Sequence, residues 1–122
     1  FMQMDIEGHE FMNTISQSKY LKNFAQIVIE FHFSYNIPFS YYYATLSKLN
    51  THFTCTHVHG NNCPIQPWLD NNLPICIEAT YVRNDLINSK VIEPNQLPIN
   101  GLDCANDMTR PDLKLDWWLF NL

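Results

Sequence analysis

Positive charge is scarce and scattered in this chain. Seven lysines and arginines face twelve acids across 122 residues, for a formal charge of −5, and the cations gather nowhere. A nucleic-acid backbone or an anionic membrane surface is bound through a basic patch, so neither is expected as the main partner. Long apolar runs are missing too: nothing approaches the roughly 20 residues of a membrane span, and no secretory signal pattern is readable. Cys55, Cys63, Cys76 and Cys104 form no C-x-x-C pair, and the chain holds no N-x-S/T acceptor. That usage excludes a small disulfide scaffold and fits free thiols in a reducing cytoplasm.

What is present is material for a core. Apolar residues make up 46% of the chain and charged ones 16%, a packed rather than a disordered composition. The length allows one domain at most. Residues 1–5 read as a short buried strand. Residues from Glu10 to about Phe24 read as a helix on Phe11, Ile15, Leu21 and Phe24, interrupted near Ser16-Gln17-Ser18. "AQIVIEFHF" (25–33) is the clearest strand, continuous in β-rich residues as in a strand covered on both faces. Pro38 closes a loop, and 39–49 reads as a second helix on Tyr42, Leu46 and Leu49. "THFTCTHVHG" (51–60) alternates as a strand, and "LPICIEATYVR" (73–83) forms another. Beyond Arg83 the pattern fades into loop, and "LKLDWWLFNL" (113–122) is expected to dock on the core.

Strands separated by helices predict parallel units with right-handed crossovers, and the directly joined last strand should run antiparallel. The fold class is therefore α/β, with three parallel strands, one antiparallel strand and helices between. Such sheets bind ligands outside the carboxyl ends of the parallel strands. There the chain supplies Asp5 and Glu7, then Glu30 and His32, then His59, Gly60, Asn61 and Asn62. Each has a plain structural role available: acids cap helices, Gly8 makes a tight turn, and Asn61 and Asn62 fill one. Their convergence on one edge is what points to chemistry. Glu78 is expected mid-strand, away from that edge. Glu30 reads as a satisfied buried acid, and Tyr41 to Tyr43 with Trp117-Trp118 as packing.

A second constellation is Cys55, His57 and His59, which alternation would place on one strand face, with Glu78 as a further ligand. It defines an alternative, a metal-binding α/β domain. The leading reading contains no metal.

The ordered set "MDIEGHE" (4–10), "IVIEFH" (27–32), "HVHGNN" (57–62) and "LPICIEATYVR" (73–83) resembles the C-terminal half of FkbM-family methyltransferases. The family's D-[VI]-E-G-x-E signature stands here as Asp5, Ile6, Glu7, Gly8, His9 and Glu10. The resemblance implies a Rossmann-like class I sheet with residues 1–122 as one partial domain, a core at 1–83 and a loop-rich tail at 84–122. It also implies S-adenosylmethionine as cofactor and a hydroxyl of a sugar or small metabolite as methyl acceptor. The main cofactor-binding loop would lie before Phe1, leaving a fragment inactive alone. On this mapping His32 or His59 is the base, Glu7 and Glu10 orient substrate hydroxyls or the base, and Asp5 is nearest the cofactor. A non-catalytic remnant that keeps only the sheet is the remaining alternative.

Overall fold

In a computed structural model, residues 1–12, 14–34, 36–62, 74–88 and 97–115 are described. Strands β1 (Met2–Met4), β2 (Gln26–His32), β3 (Phe53–Gly60) and β4 (Cys76–Arg83) form one mixed sheet, and α1 (Phe39–His52) precedes β3. The strand order is β1-β2-β4-β3. β1 pairs with β2 in parallel, whereas β4 is antiparallel to both β2 and β3. The expectation of three parallel strands is thus met by a single parallel ladder. β3 has the same sense as β2 only through two reversals, because β4 lies between them.

A larger departure concerns the expected helix over 10–24. The described residues there hold two short 3-10 turns, His9–Phe11 and Leu21–Asn23, so α1 is the one α-helix among the described residues. The cause is local competition for backbone groups. The Thr14 hydroxyl donates to the His9 carbonyl at 2.9 Å, and Ser18 Oγ accepts from the Tyr20 N–H at 3.3 Å. Ile15 and Leu21 are buried all the same, so apolar spacing marked the inward residues without the helix.

The sheet has an apolar and a polar face. Directly paired residues share a face, which puts Ile27, Ile29 and Phe31 of β2 beside Tyr81, Ala79 and Ile77 of β4. All six are buried. Phe53, Cys55 and Val58 of β3 complete that side. α1 covers it through Tyr42, Thr45 and Leu49, and the Tyr42 ring meets Phe11 edge-on at 4.4 Å. The opposite face carries Glu30 and His32 of β2, Glu78 and Thr80 of β4, and His57 and His59 of β3. Residues 97–115 run beside the sheet, with Leu97 and Leu115 in the core. Leu73, Cys63 and Trp117-Trp118 lie outside the described residues. No helix among the described residues is long and apolar enough to cross a membrane.

Cys55, Cys76 and Cys104 are free thiols, the first two buried and the third exposed. Burial pushes the Cys55 thiol up to about 12, and the thiolate is the reactive form. At about pH 8, alkylation should therefore modify Cys104 rapidly and leave Cys55 intact until the chain unfolds. Peptide mass spectrometry reads this directly, and Cys55 labelling as fast as Cys104 would show that the layer between sheet and helix opens.

Candidate functional site

The segment after β1 turns back on itself. Glu7 has φ 57° and Gly8 φ 94°, consecutive residues in the left-handed region. A Cβ at Gly8 would meet nothing within 4 Å, so glycine serves the conformation there and not the space. This turn brings the Glu10 carboxylate over two backbone donors. It accepts from Ile6 N–H at 3.0 Å and from Gly8 N–H at 3.1 Å. Glu10 is fully buried, a placement tolerated because its oxygens are hydrogen-bonded.

The same carboxylate meets His32 at the end of β2. Nδ1 of the ring lies 3.3 Å from Glu10 Oε1, and the His32 N–H donates to Oε2 at 3.5 Å. The other ring nitrogen, Nε2, looks toward more acids: Glu7 at 3.6 Å, Asp5 at 3.8 Å and Glu30 at 3.9 Å. Glu7 is largely exposed and Asp5 half exposed, while His32 is mostly covered. Glu10 is thus fully buried behind His32, while Glu7 and Asp5 stand on the exposed side of the ring. Among the described residues, every ion pair of Asp5, Glu7, Glu10 and Glu30 is with His32.

Across the sheet the polar row continues. Glu30 and Glu78 are register partners, as are Glu78 and His59. Asn61 donates from Nδ2 to Glu30 Oε1 at 3.2 Å, tying the end of β3 to β2. Glu78 is thus between Glu30 and His59, not remote from the edge. β4 runs backwards, so its first residues face the carboxyl ends of its neighbours. His59 is engaged on both ring nitrogens: Nε2 lies 3.1 Å from both Asp112 oxygens and Nδ1 3.6 Å from Glu78. Asn62, fully buried, accepts from Asp107 N–H at 2.7 Å and donates to the carbonyls of Asp107 and Pro111, pinning the loop that carries Asp112.

The Cys55, His57, His59 set does not form. A bulge shifts the register between Cys55 and His57, and the extra residue turns the two to opposite faces. Cys55 packs in the core, while His57 Nε2 lies 2.8 Å from Asp103. Strict alternation could not reveal this, because one inserted residue reverses the phase. Two other groups instead place ligand atoms within 4.8 Å of one another: Glu30, His32 and Cys76, and Asp5, Glu7 and His32. Cys76 was not a site residue by sequence reasoning. Its signal is register: once 73–83 pairs antiparallel with 25–33, Cys76 falls opposite His32. Burial raises its thiol to about 11, and Glu30, Glu7, Glu10 and Asp5 add to the rise.

An open groove of about 380 Å³ lined by Lys22, Thr51, His52 and Arg83 lies at the other end of the sheet. Arg83 there is held by Asp85 at 2.6 Å. It shares no residue with the histidine–carboxylate cluster. No family model matches the chain, and neither a curated protein nor a solved structure matches it.

Proposed function

We propose that this chain is the C-terminal part of a class I, S-adenosylmethionine-dependent O-methyltransferase of the FkbM type, acting on a hydroxyl of a sugar or small metabolite. The observation that carries the reading is the Glu10–His32 pair at the carboxyl ends of the two parallel strands. The strand order and the reversed β4 are compatible with the second half of a Rossmann-like sheet. The signature segment Asp5 to Glu10 supports it too, since its glycine and second glutamate have defined work in building the turn.

Methyl transfer is an in-line displacement. The bound cofactor would supply the methyl group to the acceptor hydroxyl. The acceptor proton must go to a base, and the main demand on the protein is alignment. Glu10 fixes the ring through Nδ1, so Nε2 of His32 is the proton acceptor. His59 suits this less, because its Nε2 lies 3.1 Å from both Asp112 oxygens, closer than any acid comes to Nε2 of His32. Glu7, on the exposed rim, orients the hydroxyl. Asp5 is the carboxylate of this chain that would face the cationic cofactor.

Calorimetric titration of residues 1–122 with S-adenosylmethionine should show no micromolar binding, the level of about −8 kcal/mol. The protein extended upstream in its natural reading frame should bind. Micromolar binding by residues 1–122 would overturn the division of the cofactor site. An upstream frame without a strand, glycine turn and helix would overturn the class.

A further inference from the structure

We infer that Glu30, His32 and Cys76 form a binding site for one zinc-class divalent cation, on the polar face where β2 meets β4. The assignment goes beyond methyl transfer and does not rest on it.

The backbone builds this corner. His32 and Cys76 are register partners on neighbouring strands, and Glu30 precedes His32 by two residues on the same face. Their carboxylate, imidazole and thiol ligand atoms lie within 4.8 Å of one another. A tetrahedral zinc site separates its ligands by about 3.3–3.8 Å, given bonds of about 2.0–2.3 Å, so small side-chain adjustments close the gap. Sulfur together with imidazole selects zinc or cobalt over magnesium or calcium, which take oxygen.

Two further observations point to a ligand. Cys76 is buried, at 8% exposure of the whole residue, and its thiol makes no hydrogen bond to any other described residue. Its sulfur stands among the ligand atoms of the cluster. The Glu10 carboxylate, fixed by two backbone N–H groups, holds His32 by Nδ1 and leaves Nε2 toward Glu30. A carboxylate behind a histidine is the usual arrangement that orients a metal ligand. Asp5 and Glu7, each within 3.8 Å of Nε2, can supply the fourth position. Glutamate and a thiolate together carry the charge that balances a dication, the thiol releasing its proton on binding. A bound cation and an accepted proton compete for the same nitrogen, so zinc would inhibit any reaction that uses His32 as base.

Cobalt(II) is the probe, added to the chain with Cys63 and Cys104 replaced by serine. One cobalt per chain should bind with a thiolate-to-metal absorption band. Cys76→Ser should abolish the band and Cys55→Ser should leave it. Glu10→Gln should weaken affinity about 10–100-fold. X-ray absorption of the zinc-loaded chain, still carrying Cys76, should show one sulfur at about 2.3 Å beside lighter ligands; this readout stands even where Cys76→Ser does not fold. Absence of binding, a shell of oxygen and nitrogen alone, or a band lost with Cys55→Ser would overturn the site. None of these readouts depends on methyl transfer.

Discussion

Phe11→Ala is expected to lower the free energy of unfolding by about 3–5 kcal/mol. Phe11 is fully buried, and its ring stands 5.1 Å from Phe31, 5.2 Å from Phe33 and 4.4 Å from Tyr42. Truncation removes its transfer free energy, opens a cavity and abolishes three ring contacts, each worth about 0.5–1.5 kcal/mol beyond burial. The neighbours cannot collapse easily, since Phe31 is fixed in the central ladder and Tyr42 by its hydroxyl to Ser34. Domains of this size are stable by only about 5–15 kcal/mol, so the loss is a large share of the total. Urea denaturation followed by far-ultraviolet dichroism measures it. A loss below about 1 kcal/mol would show that the turn at residues 9–11 is not seated on the sheet. The neighbouring Glu10 would then have no fixed platform from which to hold His32.

The second large effect is kinetic. In the longer protein implied by the methyl-transfer reading, His32→Ala should lower the single-turnover rate by about 10²–10⁴-fold, the range for a lost general base. Cofactor affinity should hardly change. His59→Ala should behave differently, because His59 joins Asp112 and Glu78 and contributes to docking the loop near residues 107–112. Its cost should appear in stability, with the chemical step kept within about tenfold, or 1.4 kcal/mol. Rapid-quench single turnovers at saturating cofactor separate the two. A normal chemical step in His32→Ala would end the general-base assignment, and an equal collapse in both variants would point to a shared structural fault.

Much of the sheet was legible because its strands are strongly patterned. β2 carries a continuous β-branched run, and its expected span of 25–33 contains the observed Gln26–His32. α1 was legible from Tyr42 and Leu49, both of which are buried. The segment between β1 and β2 was not, because its apolar spacing satisfies a helix while Thr14 and Ser18 take backbone partners that interrupt one. For the candidate site, Asp5, Glu7 and His32 could be gathered from sequence alone, since each stands at or just after a strand end, whereas Glu10 entered through the family resemblance. The full burial of Glu10, the phase reversal inside β3 and the place of Cys76 could not. All three depend on pairings between distant segments, and spacing along one segment carries no record of its partner. Glu78 failed for the same reason: its position along β4 was sensed, but not that an antiparallel neighbour brings the start of β4 to the end of β2.

The strand order also constrains how the chain can assemble. β4 is made last of the four strands yet lies between β2 and β3, and among the described residues it is the only strand paired with β3. During synthesis β1, β2 and α1 emerge first, and β3 follows with no edge of its own to join. Until Cys76–Arg83 leaves the ribosome, both β2 and β3 present unpaired backbone groups, the kind of edge that recruits foreign strands. The polar row from His32 to His59 does not exist as a surface before that moment. This sheet closes from its middle, and late.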